Sequence, residues 1–245
     1  MKSLGKKIGL AALLAFSATS ANAIILDDFD YGDDNFVISY NGLQYNYQNQ
    51  ALTSNINGKN SILVNDINLQ GGDVFYELTS EGGNSTSLAT GLALNNDTGA
   101  SSTLEITYGE LSLDGFGNPV NANVPLDFSA FGNSFYYDII SLNVGIDAVD
   151  DLDIQFKVTG LTGIYTLSDT FTSDINSLTT AFFSFEDFYT AGASSDFFEN
   201  VYEINILLTA GNDVDLRLTE FGITNVPEPS TVAIFGLALV GFAFS

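Results

Sequence analysis

Short runs of alternating apolar and polar residues fill the chain from Ile24 to Asn225. The alternation is unbroken over residues 152–158 and 214–219, and a period of two is typical of a half-buried β-strand. Turn residues such as Asn57-Gly58 separate the runs, and none of the runs carries a sustained apolar stripe with the 3.6-residue period of a helix. We therefore predict an all-β body with an antiparallel β-sandwich or jelly-roll fold.

The predicted strands are rich in β-branched and aromatic residues and lie between Gly, Asn, Asp and Ser residues. They are residues 24–29, 36–40, 43–47, 62–64, 74–79, 88–94, 103–108, 134–140, 152–158, 164–167, 180–185, 202–208 and 214–219, with 222–224 extending the last one. The polar regions 43–60 and 114–124 are predicted to be long loops. Because the chain shows no internal repeat and no evident linker, residues 24–225 are predicted to form one domain. We interpret Phe182, Phe183 and Phe185 as core residues.

The first 23 residues have the three parts of a secretory signal peptide. Basic residues at Lys2, Lys6 and Lys7 precede a short apolar run over residues 8–16, and an Ala-x-Ala site follows at Ala21 and Ala23. We predict export by the general secretory machinery and cleavage after Ala23, which leaves Ile24 at the new N-terminus.

The C-terminal segment, residues 226–245, places a Pro-Glu-Pro triplet in front of an apolar run. Pro227 and Pro229 interrupt regular secondary structure on either side of Glu228, and the uncharged residues 231–244 suit a hydrophobic helix in lipid. This arrangement resembles the sorting signal of the PEP-CTERM family. The resemblance implies that an exosortase, a membrane protease, cuts the chain near the triplet, and that the tail lies in the membrane before cleavage.

The tail departs from the family pattern at its end, where PEP-CTERM tails carry a short basic cluster and only Ser245 follows Phe244 here. Residues 230–245 would form about 24 Å of helix at about 1.5 Å per residue, less than the roughly 30 Å of a membrane's hydrocarbon core. So short a segment indicates either a tail that is to be cut off or a chain whose end is missing. The alternative is an ordinary C-terminal anchor in which Pro-Glu-Pro is coincidental.

Composition limits the chemistry of the body. Residues 24–225 carry 29 acidic side chains against three basic ones, a net charge of −26, which repels nucleic acid and anionic lipid. The chain has no Cys and no His, so Ser-His-Asp and Cys-His catalysis are excluded and the usual ligands of zinc, haem and iron–sulfur clusters are missing. The many apolar and aromatic residues nevertheless predict a folded core.

Carboxylate clusters suggest one candidate metal site. Ca²⁺ binds carboxylate and carbonyl oxygens in loops, and the terminal strands of a jelly roll commonly adjoin. A site would therefore combine Asp27 and Asp28 with Asp213 or Asp215, and we would expect Ca²⁺ to raise the melting temperature of the body. The alternative is a solvated acidic surface without a cofactor.

Three tyrosines form a candidate glycan contact, because Tyr40, Tyr45 and Tyr47 stand among Asn and Gln residues and aromatic faces can stack on sugars. The body opens with Ile25-Leu-Asp-Asp-Phe29, closes with an alternating strand, and resembles jelly-roll domains of the carbohydrate-binding-module type. No nucleophile elbow, P-loop or dinucleotide fingerprint occurs, and carboxylates are too abundant to identify a catalytic pair, so we expect no enzyme activity.

These features together predict an exported, acidic, all-β protein of a Gram-negative-type cell envelope. The PEP-CTERM resemblance further implies a place at the cell surface or in the extracellular matrix, with exopolysaccharide as a partner. For the body, a structural or matrix role is favoured, a carbohydrate-binding module is the alternative, and a glycan-active enzyme is third.

Overall fold

Two large antiparallel sheets make up the body in a computed structural model of the chain, which describes residues 23–29, 37–39, 52–56, 59–65, 73–87, 91–109, 111–113, 119–121, 124–145 and 151–226. In chain order the described strands are β1 (Ile24–Asp27), β2 (Val37–Ser39), β3 (Leu52–Ile56), β4 (Lys59–Asn65), β5 (Asp73–Glu81), β6 (Asn84–Ser87), β7 (Leu92–Asn96), β8 (Ser101–Gly109), β9 (Leu111–Leu113), β10 (Pro119–Asn121), β11 (Ser134–Asn143), β12 (Leu152–Gly160), β13 (Gly163–Phe171), β14 (Thr179–Ser184), β15 (Val201–Ala210) and β16 (Asp215–Thr224).

Sheet A has the strand order β14-β11-β16-β7-β6-β2. Strand β1 also pairs with β16, at residues 221–223, whereas β7 pairs with residues 215–218 of the same strand. Sheet B has the order β13-β12-β15-β8-β5-β4-β3, while β9 and β10 form a separate two-stranded ribbon. Consecutive strands lie in different large sheets at β2 and β3, β5 and β6, β7 and β8, β11 and β12, β13 and β14, β14 and β15, and β15 and β16. The predicted all-β sandwich with jelly-roll architecture is thus confirmed.

The two sheets enclose an aromatic and aliphatic core. Phe135 of β11 lies 4.9 Å from Phe156 of β12 and 5.9 Å from Phe221 of β16, measured between ring centroids, so sheet A and sheet B meet through these rings. All three side chains are at most 1% exposed. Tilted and stacked contacts at such distances add to the free energy that burial of the rings contributes.

One short helix, α1 (Phe185–Thr190), follows β14. The Ser184 hydroxyl accepts a hydrogen bond from the Glu186 backbone N–H at 3.0 Å and so caps the first turn. Phe185 and Phe188 are buried, and Phe185 stacks on Phe198 of a 3-10 turn (Phe197–Glu199) with ring centroids 3.7 Å apart. The helix therefore packs its aromatic side against the core.

Several predicted boundaries are wrong for local reasons. The predicted loop 43–60 contains β3, which forms a hairpin with β4, and the predicted loop 114–124 contains β10. Strand β6 was not predicted because its residues, Asn-Ser-Thr-Ser, are typical of turns. Phe185 was expected to end a strand, whereas the Ser184 cap makes it the first residue of α1. The predicted strand 43–47 lies outside the described residues.

No helix among the described residues is long and apolar enough to cross a membrane. The predicted signal peptide up to residue 22 and the predicted tail helix over 231–244 lie outside the part of the chain that the structure describes.

Candidate functional site

The predicted mature N-terminus lies beside the last strand of the body. Ala23 is exposed and directly precedes β1, in which Ile24 pairs with Ile223 and Ile25 with Gly222 of β16. The expectation that the terminal strands adjoin is therefore confirmed. Ala21, the other residue of the predicted cleavage site, lies outside the described residues.

The chain leaves the body at the same end of sheet A. Val226 is the last described residue, and the Asn133 side chain holds it with two hydrogen bonds. The Val226 backbone N–H donates to Asn133 Oδ1 at 2.8 Å, and Asn133 Nδ2 donates to the Val226 carbonyl oxygen at 2.8 Å. We call this pair of bonds the Asn133–Val226 clamp. Pro227, Glu228 and Pro229 follow immediately in the sequence and lie outside the described residues.

The four carboxylates of the predicted calcium site are not brought together. Asp27 is opposite Phe221 in the register of β1 with β16, whereas Asp215 is opposite Asn143 and six residues earlier along β16. At about 3.3 Å per residue this separation is about 20 Å, farther than two ligands of one ion can lie.

Asp27 instead accepts hydrogen bonds inside the body. Its side chain is 0% exposed, and its carboxylate accepts from the Tyr76 hydroxyl at 2.7 Å, the Tyr108 hydroxyl at 3.1 Å and the Phe29 backbone N–H at 2.8 Å. Asp28 beside it is exposed. No group of three or more potential metal ligands of the His, Cys, Asp and Glu types occurs among the described residues, and calcium binding stays a prediction.

The predicted glycan contact of Tyr40, Tyr45 and Tyr47 falls outside the described residues and stays a prediction. The interpretation of Phe182 as a core residue is wrong, because strand alternation buries Phe183 and leaves Phe182 46% exposed on the outer face of sheet A.

A polar groove of about 360 Å³ crosses the outer face of sheet A. Its polar side chains come from four neighbouring strands and are Ser87 of β6, Asn95 of β7, Asp215 and Arg217 of β16, and Ser141 of β11. We call it the sheet A groove. The cross-strand register aligns these positions: Asn95 pairs with Asp215, and Arg217 pairs with Ser141.

The alternation of β16 explains why the sheet A groove is polar. Leu216 and Leu218 are buried in the core, so Asp215 and Arg217 face outward from the same strand. Sequence alternation therefore predicted polar outward positions here. It did not predict the groove, because the other lining residues come from β6, β7 and β11, and Ser87 lies 130 positions before Arg217 in the chain.

Charges of both signs meet in the sheet A groove. Arg217 is the only arginine of the chain, in a body of strongly negative charge. Partial burial raises the pKa of the Asp215 carboxyl, a hydrogen bond from the Asn96 backbone N–H opposes this shift, and the negative charges of Asp213 and Asp97 reinforce it. Hydroxyl, amide, carboxylate and guanidinium groups together can donate and accept hydrogen bonds with the hydroxyl groups of a sugar.

A second groove, of about 430 Å³, lies between the edge strands β13 and β14 and helix α1. Phe182 lines it together with Asp169 and Asp187. The Tyr137 hydroxyl donates to Asp169 Oδ2 at 3.0 Å, and burial, followed by the charge of Asp169, raises the pKa of Tyr137. We call this the Phe182 groove; it combines an accessible aromatic face with carboxylates.

The PEP-CTERM protein-sorting motif matches residues 225–245. The resemblance expected from Pro227, Glu228 and Pro229 is thereby confirmed, and the motif implies that the protein is exported in a Gram-negative-type bacterium and processed by an exosortase, which is a membrane protein. The match concerns the tail and leaves the body unassigned.

Solved structures similar to the chain include the family 11 carbohydrate-binding module of a cellulosomal cellulase of Clostridium thermocellum, with 13% identity, a TM-score of 0.33, and coverage of 86% of this chain and 99% of the module. An exo-beta-agarase is similar with 15% identity and a TM-score of 0.35 over 85% of this chain and 25% of the agarase chain. A carbohydrate-binding module specific for non-crystalline cellulose is similar with 8% identity and a TM-score of 0.30 over 84% of this chain and 95% of the module. No curated protein matches the chain.

Proposed function

We propose that the protein is a component of the cell surface or the extracellular matrix, delivered there by sorting through its tail. The secretory machinery exports the chain, an exosortase cuts it near Pro227-Glu228-Pro229, and the folded body is the product that remains outside. One observation supports this most: the sorting motif matched at residues 225–245 begins where the last strand of a folded body ends. In this role the body is a substrate of sorting and has a structural function.

Exopolysaccharide is the partner that we propose for the body, bound in the sheet A groove. The polar side chains of the groove provide hydrogen-bond donors and acceptors for sugar hydroxyl groups, and Arg217 offers a positive charge for the carboxylates of an acidic polysaccharide. The net charge of −26 of residues 24–225 repels any polyanion at long range, so retention on an acidic polysaccharide should strengthen as added salt screens this repulsion.

Retention on the host's purified exopolysaccharide tests this proposal. We expect Arg217→Ala to weaken retention about tenfold or more, since a hydrogen bond to a charged group contributes about 1.5–3 kcal/mol. Lys157→Ala is the matched control, because it removes one positive charge from the other sheet. Equal loss in both variants would indicate a nonspecific effect of charge, and no loss in either would reject the sheet A groove as the binding site.

A carbohydrate-binding module for neutral glycans is the second candidate, and the exposed ring of Phe182 favours it. Aromatic rings stack on sugar faces, and Asp169 and Asp187 in the same groove can accept hydrogen bonds from sugar hydroxyl groups. The same assay on an uncharged glycan separates the two candidates. The second candidate predicts that Phe182→Ala loses retention on the glycan and that the control Phe131→Ala keeps it. It also predicts that retention does not depend on the salt concentration.

The proposal includes no catalytic activity. Incubation of the purified protein with the same polysaccharides should release no new reducing ends, and turnover above that of a heat-denatured sample would place the protein among the glycan-active enzymes.

A further inference from the structure

The residue that directly precedes the Pro-Glu-Pro triplet is bound to the folded body. Val226 uses both its backbone N–H and its carbonyl oxygen in the Asn133–Val226 clamp, each at 2.8 Å. The two bonds resemble the paired bonds between neighbouring strands, with a side-chain amide in place of a peptide group. Val226 precedes a proline and is therefore biased toward the extended conformation that such pairing needs.

The loop before β11 is built closely against the end of β16. The Asn133 backbone N–H donates to the Thr224 carbonyl oxygen at 3.1 Å, two residues before Val226. A Cβ atom on Gly132 would lie 2.5 Å from that same carbonyl oxygen and 2.6 Å from Cγ2 of Ile223, so only glycine permits this approach. The Asn133–Val226 clamp is therefore part of a larger contact between the loop before β11 and the end of β16.

The clamp leaves little free chain between the body and the apolar tail. Pro227 and Pro229 have no backbone N–H, so the Val226 N–H is the last backbone donor before Glu228. Residues 227–230 are the only ones between the clamp and Thr231, and four extended residues span at most about 14 Å. A protease that binds its substrate as an extended strand needs the backbone groups that Asn133 occupies.

We propose that Asn133 is a positioning residue that holds Val226, the residue before the Pro-Glu-Pro triplet, at the end of sheet A and so limits the access of the processing protease. Cutting then requires that Val226 leave Asn133, which frees its backbone and adds free chain beside the membrane. This inference rests on the proposed function, because it needs an exosortase that cuts the tail.

The test follows C-terminal processing of the full chain in its native host after translation has been stopped. Met1 is the only methionine and lies in the predicted signal peptide, so the chase is followed with an antibody against the body and by intact mass. We expect Asn133→Ala to be processed about threefold faster or more than the wild type, because both bonds to Val226 are lost.

The isosteric Asn133→Asp keeps an acceptor for the Val226 N–H but loses the donor to the carbonyl oxygen, and it should also be processed faster. Asn143→Ala is the matched control: it makes the same substitution at the other end of β11, opposite Asp215. N-terminal processing and the melting temperature report separately whether a variant folds, and a purely structural role for Asn133 would lower the melting temperature without favouring the C-terminal cut.

The outcomes distinguish the inference from the function on which it rests. Unchanged or slower C-terminal processing of folded Asn133→Ala, in a host that cuts the wild type, would overturn the role of Asn133 alone. A wild type that keeps its tail would overturn both. Faster processing in both Asn133 variants but not in Asn143→Ala would support the restraint.

Discussion

Asp27 shows that the neighbours of a residue in the sequence do not reveal its contacts in the fold. Its position in an acidic segment suggested a metal ligand, whereas the structure buries it as a hydrogen-bond acceptor for two tyrosine hydroxyl groups. Tyr76 and Tyr108 lie 49 and 81 residues away in the chain, so no local pattern could have paired them with Asp27. The sorting motif could be recognised because its residues are contiguous.

Asp27→Ala should reduce the free energy of unfolding by about 3 kcal/mol or more. It removes the acceptor of two buried hydrogen bonds, from the Tyr76 and Tyr108 hydroxyl groups, and the loss of a buried hydrogen-bond partner costs about 1–3 kcal/mol. Chemical denaturation monitored by tyrosine fluorescence measures the change. Asp196→Ala, at an exposed position whose side chain makes no cap hydrogen bond, should stay within about 0.5 kcal/mol of the wild type; similar losses in both variants would contradict the role of Asp27.

Strands were predictable where one face is buried and the other exposed, as in β12 and β16, because their alternation records the two faces directly. Strand β6 and helix α1 could not be predicted from the sequence. The residues of β6 are polar and form a strand because they pair with β2 and β7, and α1 is too short to show a helical period. The sheet A groove was not predictable for a related reason: it exists only in the register between strands.

Gly222→Ala should disrupt the pairing of β1 with β16. A Cβ atom there would collide with the Ile24 carbonyl oxygen and lie 2.6 Å from the Tyr136 ring, and overpacking of this kind costs about 1–3 kcal/mol. Gly83→Ala is the control, since its Cβ would meet only the end of the exposed Asp97 side chain. Chemical denaturation should show this loss of stability in Gly222→Ala alone, and an unchanged free energy of unfolding in Gly222→Ala would contradict the account.

At the scale of the whole molecule, the body is strongly acidic and some of its carboxyl groups are partly buried. Burial raises the pKa of Glu203, Lys157 opposes the shift, and the negative charge of Glu105 reinforces it. A raised pKa means that the folded state binds the proton more readily than the unfolded chain does. Its contribution to stability is complete below the unfolded pKa of about 4.5 and is lost as the pH rises through the folded pKa.

We therefore expect the melting temperature to rise as the pH falls from 7 towards 5 at constant ionic strength. Glu203→Gln should reduce this rise, because it removes one of the groups responsible, whereas Gln155→Ala, at an exposed and non-titrating position of the same sheet, should leave it unchanged. Differential scanning calorimetry at the two pH values makes the measurement. An identical pH dependence in Glu203→Gln and the wild type would contradict the assignment.

The central claim concerns the two ends of the folded body, Ile24 and Val226, which lie at one end of sheet A: β1 begins beside Ile223, and Asn133 holds Val226 directly before the Pro-Glu-Pro triplet. The most direct test is the intact mass of the protein recovered from its native host, for the wild type and for a Pro227→Ala, Glu228→Ala, Pro229→Ala variant. The account predicts that both begin at Ile24 and that only the wild type has lost its tail. A wild type that retains residues 230–245, or a variant that is cut like the wild type, would contradict it.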